Sequence, residues 1–505
     1  MAGAFFLRAL TEASTLTPAL GVLLGLAYAL LWLGAADRAA GKGLPWNGAF
    51  HGIAAVLIAF PLAWEAATRF RLLPSPWHIC LLGAITAAGL VIACRRRFEI
   101  LAWFVTLGSL ATALGLMFKL ETFVAGTCFL ILLGLVTLWL GYHMEWRGLR
   151  WPVALCADLS VLLLTYRALQ TEPRDAPPVV LMIQLVLLGS YLANIAVRTI
   201  WRARDVIPFE VVQVIAVFLV GFVGAVSLAR DTGYGTSILG SAGLLLGAGT
   251  YAAAFAFVDR EAGHGRNFYF YTSLALLFSM TGSGLLLSGA ELSLAYVLLA
   301  LLAKWQAWRT SSFALMLHAT VCILAASISA GLLPYIDVAF AGAPGVVGSL
   351  PDPAHMIVLA GAAASLCLPL RLQADIPRIW YRIQHLIVTL LLLGGIGGAV
   401  VSMAGRQWGG LPGGGVDAGT LSTVQTIVLA LSTLVLAWGA RSERLAEWGW
   451  LVYPVLAITG LKILLQDFSR SRPATLFLAL AVYGGVLILS PRLRRSGTGP
   501  DREAS

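Results

Sequence analysis

The chain has few charged residues: they make up 11% of its 505 positions, whereas hydrophobic residues make up 59%. A soluble globular protein carries roughly a quarter charged residues, so this chain cannot cover an aqueous surface. The scarcity of charge excludes a soluble protein and predicts that lipid surrounds most of the chain. The formal charge of +10 does not indicate nucleic-acid binding, because no basic, aromatic-interleaved surface domain carries it.

Cysteine is also scarce, and the motifs of catalysis are lacking. The six cysteines have no metal-ligand spacing, and we interpret them as small buried hydrophobic residues: Cys80, Cys94, Cys128, Cys156, Cys322 and Cys367. The sequence contains no His-Glu-x-x-His helix, no Gly-x-Ser-x-Gly elbow and no Walker phosphate loop. It therefore predicts no catalytic residue, no metal site and no cofactor.

Long apolar runs follow one another from about Leu16 to Leu489. Each is long enough for a hydrocarbon core of roughly 30 Å, and only helices satisfy the backbone of such continuous runs in lipid. We predict an all-α, polytopic membrane protein in a single transmembrane domain over 1–505. Its successive helical hairpins comprise about 17 spans, near 16–35, 48–67, 77–94, 98–117, 122–142, 151–168, 178–198, 208–229, 236–257, 268–288, 291–308, 312–332, 354–370, 381–404, 419–440, 445–466 and 473–490.

The basic residues indicate the orientation. Loops after odd-numbered spans, together with the C-terminal tail, hold 23 of the 34 lysines and arginines. Short cytoplasmic loops carry such an excess, so 17 spans predict an outward N-terminus and a basic cytoplasmic tail over 491–505. We interpret the first apolar run as a retained helix, because it is long for the core of a signal peptide.

Two connections on the outward side break the pattern of tight turns, at about 333–353 and 405–418. Both are nearly neutral and rich in glycine and proline, so they are either functional loops or plain connectors. The glycine run Gly394–Gly398 lies within a span, where glycine permits close helix packing, and it follows no strand, as a dinucleotide fingerprint would.

Three ionisable residues lie at membrane depth, where each costs about 2.5–3.5 kcal/mol on insertion scales. Asp158, His318 and His385 all fall in the cytoplasmic half of their spans, and we treat them as a candidate intramembrane polar site. They either form a proton or cation path or act as ties between helices. We expect Asp158 to face the interior with a polar partner on another helix.

Other polar residues are given structural roles. Gln184 and Asn194 share a span and are interpreted as interhelical ties. Glu210 follows Arg202 and Arg204 and is expected to pair with them locally near water. Lys462 and Asp467 are candidate structural anchors near the outward interface: five residues apart on an α-helix they are roughly 140° apart, so no direct pair is expected.

The C-terminal end resembles a known family. It contains Ala437-Trp-Gly-Ala-Arg441, then Leu456-Ala-Ile-Thr-Gly-Leu-Lys-Ile-Leu-Leu-Gln-Asp467, and then a last helix and a basic tail. This ending resembles the bacterial polytopic membrane proteins catalogued as domain of unknown function 2339, over about 60 residues, although the hydrophilic N-terminal segment of many members is missing. The resemblance implies a bacterial inner membrane and supplies no activity.

The sequence favours a transporter-like or cell-envelope protein without catalytic chemistry. The alternatives are an enzyme acting on lipid-linked substrates and a membrane scaffold subunit. An enzyme of that kind needs clustered arginines and carboxylates at an outward groove, and the outward loops are poor in both. The expected partners are membrane lipids and a small molecule or ion, with no nucleic acid.

Overall fold

The computed structural model describes residues 16–74, 77–170, 175–233, 235–255, 265–342, 347–369, 377–408 and 417–495. Regular structure in these ranges is entirely helical, with no strand. The predicted all-α fold of a polytopic membrane protein is confirmed. The helices fall into two compact units that divide between Thr236 and Ser237.

The described residues of the first unit form eight helices. Its first six are α1 Pro18–Gly41, α2 Pro45–Thr68, α3 Trp77–Arg96, α4 Glu99–Leu120, α5 Phe123–His143 and α6 Arg150–Ala168. In α7, the segment Pro177–Ala196 continues through a π-helical turn, Val197–Trp201. In α8, Pro208–Val217 continues through a π turn, Phe218–Val223, to Gly224–Thr232.

The second unit holds α9 to α18. These are α9 Thr236–Ala253, α10 Arg266–Leu286, α11 Gly289–Thr310, α12 Phe313–Ser329, α13 Leu332–Ala341, α14 Pro353–Cys367, α15 Arg378–Trp408, α16 Ala418–Gly439, α17 Gly449–Lys462 and α18 Pro473–Arg495. A 3₁₀ turn, Glu443–Trp448, precedes α17, and a π turn, Ile463–Asp467, extends α17 toward Arg470. Buried residues of α10, α11, α12, α13, α14 and α15 form a hydrophobic core in this unit.

Fewer helices qualify as spans than the 17 expected. Within the described ranges, thirteen helices are long and apolar enough to cross a membrane, and the pair α12 and α13, bent by 65°, brings the number to 14 if the pair is one span. The other three predicted spans are helices that fall short: α14 has only 15 residues, and α9 and α10 are not apolar enough. In α9, glycine, serine and threonine occupy eight of 18 positions.

The two predicted loops are shorter than expected. Half of the connection at 333–353 is the helix α13, which buries Leu332, Tyr335 and Ala339 against its unit. Leucine, tyrosine and phenylalanine in this stretch allow that burial despite the proline at position 334. In the other connection α15 extends to Trp408 and α16 begins at Ala418, while 409–416 lies outside the described residues.

The glycine run of α15 has the packing role that was predicted. A Cβ atom on Gly395 would lie 2.4 Å from the Leu359 side chain of α14, and one on Gly398 would lie 3.1 Å from Tyr335 of α13. Glycine at these positions therefore lets α13 and α14 approach the backbone of α15 closely.

Candidate functional site

Asp158 lies near the middle of α6, eight residues after Arg150 and ten before Ala168. Its two carboxylate oxygens accept hydrogen bonds of 3.1 and 3.0 Å from the side-chain amide of Gln213 on α8. Both side chains are buried, with 6% and 5% exposure. The prediction that Asp158 faces the interior and has a polar partner on another helix is confirmed. That partner is an uncharged amide, so these bonds do not neutralise the carboxylate.

Asp158 is one of three buried polar residues on a single face of α6. Arg150 precedes it by about two helical turns, and Thr165 follows it by about two. At roughly 1.5 Å per residue the three cover about 22 Å, most of a hydrocarbon core of about 30 Å. We use the term polar track for these residues and their neighbours on α7 and α8: Arg150, Asp158, Thr165, Gln184, Tyr191, Glu210 and Gln213.

At the Arg150 end of the polar track, Glu210 is fully buried and satisfied. It accepts hydrogen bonds from Arg198, at 2.7 and 2.8 Å, and from the Tyr142 hydroxyl at 2.5 Å. Arg150 is within electrostatic range of Glu210, and its guanidinium lies 4.5 Å from the centroid of the Phe209 ring. Glu210 was expected to pair with Arg202 or Arg204 near water, but its cationic partner is Arg198, which lies in the π turn of α7, and its carboxylate is fully buried.

At the Thr165 end of the polar track, α6 and α8 both contact Gln184 of α7. Gln184 Nε2 donates to Thr165 Oγ1 at 2.7 Å. A Cβ atom on Gly221 would lie 2.9 Å from the backbone carbonyl oxygen of Gln184, and one on Gly224 would lie 2.9 Å from Gln184 Nε2. On α5, Trp139 donates to the Asn194 side-chain oxygen of α7. Gln184 and Asn194 are therefore interhelical ties, as predicted.

Three buried polar atoms of the polar track have no hydrogen-bond partner within the described ranges. They are Arg150 Nε, Gln184 Oε1 and the Tyr191 hydroxyl. Tyr191 is fully buried, and its hydroxyl is close enough to interact electrostatically with Asp158. Most buried polar atoms in proteins are paired, so an unpaired group marks a place for water, an ion or a ligand. One of these three atoms is on α6 and two are on α7, so the polar track contains such places on both helices.

Two π turns flank the polar track, Val197–Trp201 in α7 and Phe218–Val223 in α8. A π turn inserts one extra residue into a helix, which changes the faces on either side of it, and such turns are frequent at functional sites. Here the turn in α8 separates Gln213, which bonds to Asp158, from Gly224, which approaches Gln184. Gln213 and Gly224, on either side of this turn, are therefore both next to residues of the polar track.

In the second unit His385 forms a buried chain with two charged residues. Its Nδ1 lies 2.7 Å from Glu447 Oε1, and Lys304 Nζ lies 3.5 Å from its Nε2. A charged lysine only donates, so Nε2 accepts and Nδ1 donates to the carboxylate. The neutral imidazole then links an ammonium to a carboxylate, an arrangement that can pass a proton.

His318 has a different setting. Its Nδ1 is 3.4 Å from the Tyr251 hydroxyl, and the side chain is 3% exposed. The three candidate residues thus have separate partners: Asp158 belongs to the first unit with Gln213, while His318 and His385 belong to the second with Tyr251, Glu447 and Lys304.

Lys462 and Asp467 form a direct pair, contrary to the prediction. Lys462 Nζ donates to Asp467 Oδ1 at 2.8 Å, and the carboxylate is fully buried. The angle was computed for an α-helix, but Ile463–Asp467 is a π turn, whose i to i+5 geometry brings residues five apart together. Ser422 and Thr426 of α16 donate to the carboxylate and accept from Lys462.

Sequence reasoning missed several residues of these clusters. None of Lys304, Glu447, Gln213 and Tyr191 was singled out as a site residue. Their partners are 81, 62 and 55 residues away for Lys304, Glu447 and Gln213. One signal was present, since polar residues at positions 150, 158 and 165 recur at the spacing of one helix face.

Within the described ranges, no group of three or more histidine, cysteine, aspartate or glutamate side chains is close enough to hold a metal ion. Comparison with family models, with curated proteins and with solved structures gives no match for this chain. The fold and the polar track define it as a multi-pass helical membrane protein.

Proposed function

We propose that this chain is a transport protein that couples the movement of a small solute across the membrane to protonation of Asp158. The observation that carries the proposal is the polar track, which extends over about 22 Å of a membrane-spanning helix. Ionisable residues inside membranes mark substrate and proton pathways in transporters. The three unpartnered atoms are the groups with which water or a solute would bond.

The pair of Asp158 and Gln213 supports two protonation states. In the ionised state the carboxylate accepts both bonds from the Gln213 amide nitrogen. In the protonated state the carboxyl group donates a hydrogen bond. A 180° rotation of the Gln213 side-chain amide then presents its Oε1 as the acceptor. Neither state leaves the pair unsatisfied, so the proton can arrive and leave without a large cost in stability.

Transport by purified protein in liposomes tests the proposal. The liposomes contain a pH-sensitive dye and receive defined pools of amino acids, sugars, organic acids, nucleosides or metal salts. We expect one pool to change the internal pH with the wild type and not with Asp158→Asn. The Asn194→Asp variant is the control for a carboxylate placed elsewhere. Equal signals from wild type and Asp158→Asn, or no signal with any pool, would contradict the proposal.

We also propose that the protein lies in a bacterial inner membrane with its N-terminus outward and its C-terminus cytoplasmic, as a divergent relative of the family catalogued as domain of unknown function 2339. The excess of basic residues in alternate loops supports the orientation. The sequence pattern of Lys462, a few apolar residues, Asp467, a last helix and a basic tail supports the relationship.

A further inference from the structure

An apolar cavity of about 180 Å³ lies among α1, α2, α3 and α4 of the first unit. All fourteen lining residues are apolar; they include Ala29 of α1, Phe60 of α2, Ala88 of α3 and Val105 of α4. For comparison, an engineered apolar cavity of about 150 Å³ stays dry and binds benzene. A cavity of this size and lining is therefore suited to a hydrocarbon chain and not to a polar solute.

The cavity is open to the membrane. Leu30 and Ala84 line it and are themselves exposed on the outer faces of α1 and α3. Both helices are candidate spans, so these faces meet the hydrocarbon of the bilayer. A lipid acyl chain can enter the cavity sideways without crossing water.

Basic residues are concentrated at one end of the helices that line the cavity. Arg96 bonds to Asp37 at 2.7 and 3.1 Å, which ties α3 to α1 there. Four further basic side chains at this end are exposed: Arg38, Lys42, Arg95 and Arg97. Arg38 is five residues beyond Leu33 of the cavity and Arg95 six beyond Gly89, or about 8–9 Å along each helix. This distance matches a headgroup layer of roughly 5–8 Å beside the hydrocarbon core.

We propose that this cavity and the adjoining basic cluster form a binding site for one anionic glycerophospholipid. An acyl chain occupies the cavity, and the phosphate lies against Arg95, Arg97 and their neighbours. Burial of the acyl chain stabilises the bound lipid, and the basic side chains select a negatively charged headgroup. The inference does not depend on the proposed transport activity.

Native mass spectrometry tests the site. The full chain is reconstituted in vesicles of equal phosphatidylglycerol and phosphatidylcholine with identical acyl chains, then extracted into detergent and washed. We expect the wild type to retain phosphatidylglycerol at least fivefold more than phosphatidylcholine. Ala88→Leu fills the cavity and should lose the retained lipid, and Ala84→Leu serves as a second filling variant. Ala87→Leu adds the same volume to the exposed, non-lining face of α3 and should retain the lipid.

The headgroup is tested separately. Arg95→Gln/Arg97→Gln should still retain a lipid but lose the preference for phosphatidylglycerol. Arg71→Gln/Lys119→Gln removes two exposed charges at the opposite end of the same helices and should keep the preference. Absence of any retained lipid, or equal retention by Ala88→Leu, Ala84→Leu and wild type, overturns the site. A wild type without headgroup preference overturns the role of the basic cluster.

Discussion

At the scale of single residues, the molecule stabilises its buried carboxylates in two ways. Asp467 receives an ammonium and two hydroxyls, so its charge is neutralised and its oxygens are satisfied. Asp158 receives only the amide of Gln213 through its hydrogen bonds. A carboxylate neutralised on all sides holds its charge, whereas one with a neutral partner can change its protonation state. This difference is why we assign transport to Asp158 and structure to Asp467.

The first residue-scale prediction concerns the bond between Asp158 and Gln213. Asp158→Asn keeps a carbonyl acceptor for the Gln213 amide, so thermal unfolding in detergent should change little. Asp158→Leu leaves the buried amide unsatisfied, which costs about 1–3 kcal/mol. Fluorescence-detected melting of the three proteins measures the difference. Identical melting temperatures would mean that this bond does not stabilise the fold.

The second residue-scale prediction concerns Lys462 and Asp467. Lys462→Met leaves the Asp467 carboxylate buried without its cation and should destabilise the protein by about 3–5 kcal/mol. The double variant Lys462→Met/Asp467→Leu removes both charges and should be more stable than the single variant. Denaturation of the two variants and of the exposed control Lys119→Met provides the comparison. A double variant with a lower free energy of unfolding than Lys462→Met would contradict the pairing.

At the scale of helices, close approach depends on glycine. A Cβ atom on Gly282 of α10 would lie 2.7 Å from the Leu244 backbone nitrogen of α9 and 2.8 Å from the Gly240 carbonyl oxygen. Backbone atoms cannot turn aside as side chains can, so a larger residue there forces the two helices apart.

The helix-scale prediction follows directly. Gly282→Val should lower the free energy of unfolding by about 1–3 kcal/mol, the usual cost of overpacking. Gly249→Val on α9 is the matched control, because a Cβ atom there meets nothing within 4 Å. Thermal unfolding of both variants tests this, and an equal effect of the two substitutions would show that α9 and α10 do not require the close approach.

At the scale of the whole molecule, the number of crossings fixes the side on which each terminus lies. If all 17 predicted spans cross, the termini lie on opposite sides. If only the 14 segments that qualify by length and hydropathy cross, the termini lie on the same side. The orientation that we propose therefore requires an odd number of crossings, which is met by all 17 predicted spans or by the 13 single helices without the bent pair.

We expect reporter fusions to show that the termini lie on opposite sides, as an odd number of crossings requires. A fusion at the C-terminus should be active with a cytoplasmic reporter and inactive with a periplasmic one, and a fusion at the N-terminus should give the reverse. Fusions in the turn between α3 and α4, beside Arg97, should behave like the C-terminus because of the local basic residues. Both termini on one side would reduce the crossings to an even number.

The features that depend on local hydropathy and charge could be predicted from the sequence. Hydropathy located every helix except α13, and the cost of a charge in lipid placed Asp158 inside the protein. The sequence could not predict the partner of His385, because Glu447 is 62 residues away and the contact depends on how α15 packs. The sequence also did not predict the pairing of Lys462 with Asp467. A π turn has no simple sequence signal, and the predicted angle of about 140° between the two residues assumed an α-helix.

The position of both charges of the Lys462–Asp467 pair on one helix has a consequence for biosynthesis. A lone charged side chain on a helix that inserts into the bilayer costs about 2.5–3.5 kcal/mol on insertion scales until another helix supplies a partner. This helix carries its own counter-ion five residues away, held by its own π turn. It can therefore leave the translocon as a locally neutral segment, and α16 needs only to supply hydroxyls once the two helices meet.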